Sequence, residues 1–264
     1  MNRLRFFSLG SGSSGNCYYI GNAKRGILID AGIGARSIKK RLKCAGISME
    51  QILAVFVTHD HFDHIKAVSA LGNKEHIPVY STQKILDGIN NNIKLREKLE
   101  ISAQKTIENF QSVQIGDFTI TSFPLSHDAS DNSGYKIDYQ GLTFTVATDL
   151  GCPNEYLHKY IAQSDILILE ANYDEIMLQT GPYPEKLKQR VAGDCGHLGN
   201  QQTADILMKS STDKLKYLFL CHLSQQNNKP ELALDAVKGT VPKHTLINVL
   251  PRTDISEFFE FLKV

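Results

Sequence analysis

The 264-residue chain has no apolar run approaching the ~20 residues needed to cross a bilayer, and its start, MNRLRFFSLGSG, lacks a long apolar segment ending in a small-residue cleavage site. A membrane protein is therefore not expected, and a cytoplasmic location is. Cysteine is sparse: Cys17, Cys44, Cys152, Cys195 and Cys221 are odd in number and show no CxxC spacing. Neither a disulfide framework nor a zinc finger is indicated, so reduced and mostly buried thiols are expected. An excess of one charge is lacking too, because 29 Lys and Arg against 28 Asp and Glu leave a formal net charge of +1. A nucleic-acid partner must then be argued from local features. No Pro/Gly/Ser-rich linker, charge block, internal repeat or low-complexity segment interrupts the chain, and residues 1–264 are read as a single domain.

What is present is a composition, 42% apolar and 22% charged, that excludes a disordered chain. Short β-rich runs recur with turn signals between them: LRFFSL, CYYI, GILIDAG, ILAVFVT, IPVYST, FTITSF, YKIDY, LTFTVAT, DILILEA, KYLFLCH and HTLINVL. YKIDYQGLTFTVAT reads as a hairpin turning at Gln140-Gly141, and SVQIGDFTITSF as another turning at Gly116-Asp117. Helical patterns lie between, in GARSIKKRLKCAG, HIKAVSALG, NEYLHKYIAQ, QQTADILMKS, PELALDAVKG and the terminal ISEFFEFLKV. Interleaved strands and helices with hairpins imply a mixed sheet system covered by helices. The asparagines of DGINNNIKLREKLE mark a candidate surface insertion.

The stretch THDHFDH, directly behind the apolar run ILAVFV, holds three imidazoles and two carboxylates in seven residues. Imidazole is the commonest ligand for zinc and related ions, and HxHxDH supplies four donors from one loop. His59 and His61 are two apart, so in an extended segment both face one side and can chelate one ion; Asp63 and His64 follow at the turn and can address a second. With 9 histidines and 28 acidic residues in the chain, such a run arises by chance in about one chain in a thousand. A solvated, histidine-rich loop is the less economical account.

On HxHxDH, with LIDAG (Asp30), PLSHD (His127), ATDLG (Asp149) and LCHLS (His222) following in order, the chain resembles the metallo-β-lactamase superfamily over nearly its whole length. The resemblance implies an α+β fold, a four-layer αββα sandwich, with two divalent metal ions, Zn2+ or Mn2+. It also implies that His59, His61 and His127 hold the first ion, Asp63, His64 and His222 the second, and that Asp149 bridges them. Asp30 is read as a structural residue that hydrogen-bonds the ligand loop. His76, His158 and His244 have no comparable context and are assigned to surface or core.

Superfamily membership leaves the reaction open. Flavodiiron-type members carry a carboxylate where this chain has His61, which favours a hydrolase. ILILEANYD followed by GHLGNQQTADILMKSSTDKLKYLFLCHLS resembles the arrangement of the tRNA-processing RNase Z enzymes. Carried over, His197 is a non-ligand proton donor and Glu170 orients it, answering the need of a leaving alkoxide for a proton. The span from Asp149 to His222 is too short for the extra domain of β-CASP nucleases. SLGSGSSGNCYYI, NYDEIML and GPYPEKLKQRVAGDCGHLGNQQTA look instead like the YycJ (VicX, WalJ) branch, which is linked to DNA exonuclease activity. Relatives usually read HLS at the extra histidine, where this chain has His197-Leu198-Gly199.

The implied activity is phosphodiester hydrolysis by a hydroxide shared between two ions, with Asp63, His197 and Glu170 as the catalytic residues. The implied partner is nucleic acid, with DNA favoured, and no membrane; the oligomeric state is open. Ser13, Ser14 and Asn16 of the Gly/Ser loop are substrate-contact candidates beside a mainly structural role for that loop. Lys188 and Arg190, just before His197, are better placed for a phosphate backbone than the basic run Arg36, Lys39, Lys40, Arg41 and Lys43. A glyoxalase II-like thioesterase is the enzymatic rival, but Arg252 and Lys263 are too isolated to form its cationic pocket. A regulatory protein that retains metals only for folding is the other rival.

Overall fold

The computed structural model describes residues 3–262; Lys263 lies outside the described residues. In chain order the strands are β1 (Leu4–Gly10), β2 (Cys17–Gly21), β3 (Gly26–Ile29), β4 (Ile52–Phe56), β5 (Val79–Ser81), β6 (Gln104–Thr106) and β7 (Ser112–Ile115). They continue with β8 (Phe118–Pro124), β9 (Ser133–Tyr139), β10 (Leu142–Ala147), β11 (Ile166–Glu170), β12 (Tyr217–Cys221), β13 (Leu246–Val249) and β14 (Phe259–Phe261). The helices are α1 (Ala35–Cys44), α2 (Phe62–Ile65), α3 (Gln83–Asn91), α4 (Glu155–Ala162), α5 (Glu175–Thr180), α6 (Glu185–Val191), α7 (Asn200–Ser210) and α8 (Pro230–Val237).

The strands form two mixed sheets, ordered β14-β1-β2-β3-β4-β5-β6 and β13-β12-β11-β10-β9-β8-β7. In the first, β14, β1, β2 and β3 pair antiparallel and β3 through β6 parallel. In the second, β10 through β13 run parallel, and β9 joins β10 as the expected hairpin, with Gln140 and Gly141 both at positive φ. That is the backbone a two-residue hairpin turn needs to match strand twist. The β7–β8 hairpin also turns where the sequence places it, at Gly116 with φ +58°.

The chain divides into two compact units, one of residues 3–122, 129–133 and 251–262 and the other of residues 123–128 and 134–250. Each has its own core. In the first unit Phe7, Leu28, Val55 and Val79 meet Ile38 and Leu42 of α1, an i,i+4 pair, and Ile85 and Ile89 of α3. In the second, Leu167, Leu169, Leu218 and Leu220 meet Leu157 and Ile161 of α4, Leu207 of α7 and Val237 of α8. Full burial of such a side chain is worth about 1.5–3 kcal/mol, so the central strands contribute much of each unit's stability. Asn154 caps α4 by accepting from the Leu157 N–H at 2.9 Å, and Pro230 occupies the first turn of α8, where its missing donor is harmless.

Three expectations fail, the first being mostly buried thiols: of the five cysteines, Cys17 and Cys221 are buried, Cys152 is half-buried, and Cys44 and Cys195 are exposed. The terminal ISEFFEFLKV reads as a helix, but its described part ends in strand β14, antiparallel to β1, with Phe259 stacked on Phe6 and Glu260 paired with Arg3 and Arg5. An open sheet edge and aromatic partners outweigh the helical spacing. The asparagine cluster is not a loose insertion. Asn90 exchanges hydrogen bonds with Leu99, accepting from its N–H at 2.8 Å, and the Asn92 amide donates to the Asp60 carbonyl at 2.9 Å.

Candidate metal centre

In the first unit, the ligand loop leaves β4 and enters α2, and the preceding motif pins it. Asp30 N–H bonds the Phe56 carbonyl, Ala31 N–H the His64 carbonyl, and Ala67 N–H the Ala31 carbonyl, each at 2.8 Å. From the Gly/Ser loop, Asn16 N–H bonds the Asp63 carbonyl at 2.8 Å. Gly32 is required in this clasp: a Cβ there would lie 1.5 Å from the Asp63 carbonyl oxygen.

The imidazoles gather, with ring centroids of His59 lying 4.7 Å from His61 and 4.0 Å from His64. Asp30, fully buried at φ +60°, takes His64 Nδ1–H at 2.7 Å, Thr58 N–H at 2.8 Å and the Thr58 hydroxyl at 2.9 Å. Burial pushes its carboxyl up, while His64 and the Thr58 hydrogen bonds pull the other way. The His64 Nε2 faces the Asn16 amide at 2.9 Å and stands 3.7 Å from Asp63. Thr58 also contacts His59 Nδ1 at 3.0 Å. It links Asp30 to two imidazoles, a role that its place in THDHFDH does not announce.

In the second unit Asp149, Glu170, His197 and His222 converge, one ligand atom of each lying within 4.8 Å of the others. Glu170 ends β11 fully buried, and its Oε1 takes His197 Nδ1 at 2.8 Å and His222 Nδ1 at 2.9 Å. Its Oε2 takes the N–H groups of Leu150 at 2.9 Å and Leu198 at 3.2 Å. Burial works against this charge, but His197 and His222 outweigh it and hold the carboxyl well below the usual carboxylate range. For His197 burial disfavours protonation; Glu170, then Asp149, reverse this and raise its pKa. Asp149 stands 3.1 Å from His222 Nδ1, and Asn172 supports the same residue by donating to the His222 carbonyl at 2.7 Å. That use of Asn172 is invisible in NYDEIML.

His127, at the end of the run that leaves β8, directs Nδ1 to the Gly196 carbonyl at 2.9 Å. A carbonyl only accepts, so Nδ1 carries the proton and Nε2 the lone pair. The same logic applies to His64 on Asp30 and His222 on Glu170. Three imidazoles therefore have their tautomer set by an oxygen on Nδ1, the support that metal-ligating histidines ordinarily have. The donor set of imidazoles and carboxylates suits divalent ions such as zinc or manganese. Asp30, Asp149 and His222 also share positive φ, at +60°, +56° and +54°, each just beyond a strand. Non-glycine residues in that region store about 1–3 kcal/mol apiece and cluster at functional sites.

The substrate-contact candidates scatter. Ser13 and Ser14 are exposed, whereas Asn16 is buried against His64. Lys188 donates to the Gln179 carbonyl, and Arg190 pairs with Asp128 at 2.6 Å, which raises its pKa. Arg41 of the other basic run bonds the Leu9 and Thr253 carbonyls and so serves the fold. Gly199 has a steric reason. A Cβ there would stand 2.8 Å from the ring of the buried Tyr173 and 2.4 Å from Glu175 Oε1, so a serine hydroxyl has no room while Tyr173 keeps this position.

Residues 25–219 match the family model described as Beta-lactamase superfamily domain. Exodeoxyribonuclease WalJ of Streptococcus pneumoniae is 31% identical over 258 residues, covering 98% of this chain and 92% of that protein. Exodeoxyribonuclease YycJ of Bacillus anthracis is 32% identical over 233 residues, covering 87% of this chain and 86% of that one. Among solved structures, the metallo-beta-lactamase fold protein YhfI of Bacillus subtilis superposes with a TM-score of 0.72 at 18% identity, covering 98% of this chain and 100% of that chain. The expected α+β metallo-β-lactamase fold is borne out. No helix among the described residues is long and apolar enough to cross a membrane.

Proposed function

Because the chain belongs to the beta-lactamase superfamily, we propose that it is a metal-dependent phosphodiesterase, an exonuclease acting on DNA. The observation that carries the reading is Glu170, one buried carboxylate bonded to Nδ1 of both His197 and His222. A scaffold that kept metals only to stay folded has no use for a second histidine of raised pKa, 19% exposed, on the same carboxylate. The similarity to two exodeoxyribonucleases over most of the chain supports the choice of DNA.

In this reading His59, His61, Asp63 and His64 of the first unit and His127, Asp149 and His222 of the second are the metal ligands. Two bound ions would supply Lewis acidity toward the phosphate and would lower the pKa of a water. Asp30, Thr58 and the Gly196 carbonyl hold the imidazoles in the ligating tautomer. His197 is not a ligand. Protonated through its contact with Glu170, it gives a proton to the departing oxygen, and Glu170 keeps its ring oriented. Asp63, in the first turn of α2, is the third catalytic residue of this reading.

The test is hydrolysis of an end-labelled DNA duplex, beside a thioester, with Mn2+ or Zn2+ added. His61→Ala should lose metal and nuclease activity together, and His197→Ala should keep metal and lose turnover. Thioester cleavage without nuclease activity, or full nuclease activity in both variants, overturns the assignment.

A further inference from the structure

Beside the ligand loop, wholly within the first unit, lies a groove of about 430 Å³ that none of the chemistry above uses. It is lined by Phe62, the half-buried aromatic between His61 and Asp63, and by Lys66, Lys74, Lys94 and Arg96 against a single carboxylate, Glu97. Glu97 is already paired with Lys74 at 3.3 Å. Lys66, Lys94 and Arg96 are exposed and form no ion pair among the described residues. The ammonium groups of Lys66 and Lys94 each stand 5.9 Å from the Phe62 ring centroid.

The far wall is built, not loose. Asn92 ties it to the ligand loop through the Asp60 carbonyl, the Ser69 hydroxyl donates to the Glu97 carbonyl at 2.6 Å, and Asn73 takes the Glu100 N–H at 3.0 Å while donating to the Lys98 carbonyl at 2.9 Å. In a chain of net charge +1, this local excess of cations around an accessible ring has specific chemistry. Cations spaced along a channel neutralise a phosphate backbone, and an aromatic face stacks an unpaired base. A duplex hides its base faces, so the fitting ligand is single-stranded. The volume lies within the ~300–1,000 Å³ usual for ligand pockets.

We propose that this groove is a single-stranded nucleic-acid subsite, in which Phe62 stacks one base and Lys66, Lys94 and Arg96 hold the phosphates of the strand leading to or from the ligand loop. The proposal rests on the nuclease reading and adds where the strand lies. An acidic peptide would meet the charges and leave the ring without a partner, which separates the two ligands.

The experiment uses the full-length protein with its metals and a fluorescent oligothymidylate with cleavage-resistant phosphorothioate linkages, followed by anisotropy across a salt series. Phe62→Leu should weaken binding about tenfold and Phe62→Tyr should restore it to within about twofold, since one base stack is lost and regained. Lys94→Glu with Arg96→Glu should weaken binding and flatten the slope of log affinity against log salt by about 1.4, about 0.7 for each phosphate contact removed. Lys238→Gln, at an exposed lysine just beyond the C-terminal end of α8, is the control. On cleavable DNA the groove variants should lose through KM more than through kcat. Wild-type affinity and slope in both groove variants, or competition by polyglutamate as strong as by oligothymidylate, overturns the subsite while a wild-type protein that still cleaves DNA leaves the nuclease reading standing. A wild-type protein that neither binds nor cleaves DNA overturns both.

Discussion

Replacing Asp30 by asparagine exchanges one carboxylate oxygen for an NH2 in the fully buried motif that pins the ligand loop. Asparagine tolerates the left-handed backbone that Asp30 adopts at φ +60°, so the backbone is not the variable. The carboxylate accepts three groups, Thr58 N–H, Thr58 O–H and His64 Nδ1–H, and an amide offers one acceptor oxygen and a donor. If the amide oxygen stays on Thr58, the NH2 meets His64 Nδ1–H donor to donor. His64 relieves the clash by moving its proton to Nε2, the atom a metal needs. Stability should then fall by the loss of one charge-assisted hydrogen bond, about 1.5–3 kcal/mol. Metal affinity should fall about 10–100-fold, the usual effect of removing such a support. Asp30→Ala strands all three donors and adds left-handed strain, so it should cost about 3–5 kcal/mol, or roughly 6–20 °C in melting temperature. Urea unfolding with chelator present reads stability alone, and competition with a chromogenic chelator reads affinity. An Asp30→Asn protein that binds metal as wild type does, at any stability, refutes the tautomer argument.

Glu170→Gln should shift the pH profile of turnover. Glu170 raises the His197 pKa, so in the wild type the protonated acid persists as pH rises; without that charge the pKa falls and the alkaline limb of kcat moves to lower pH, with metal content measured alongside. An unmoved limb sinks His197 as the acid. Gly199→Ser, restoring the residue usual in relatives, should destabilise this chain by about 1–3 kcal/mol, because the Tyr173 ring must move. Pairing it with Tyr173→Ala should recover part of that loss in thermal unfolding, and a neutral single variant would show that the ring moves freely.

The legible and illegible parts of this chain divide by range. HxHxDH announces itself because four donors within six residues need only local chain geometry, and the β-rich runs announce strands because apolar and β-branched residues are bounded by turn signals. The hairpin at Gln140-Gly141 is readable for the same reason. Helix α3 is not, since QKILDGINN holds a glycine and two asparagines; Thr82 at its start and the burial of Ile85, Leu86 and Ile89 make it a helix. Tertiary packing likewise overrides the pattern at β14. At the candidate metal centre, the order of motifs points to the candidate ligands, but what sets their protons lies far along the chain: Asp30 is 34 residues from His64 and the Gly196 carbonyl 69 from His127. Each of those contacts uses a common residue or a backbone atom, so it leaves no pattern in sequence. The left-handed backbone at Asp30, Asp149 and His222 is similarly silent, because aspartate and histidine at a strand end are ordinary until φ is known. The sequence thus names candidate ligands, whereas their proton state, on which metal binding would depend, is a property only the folded chain has.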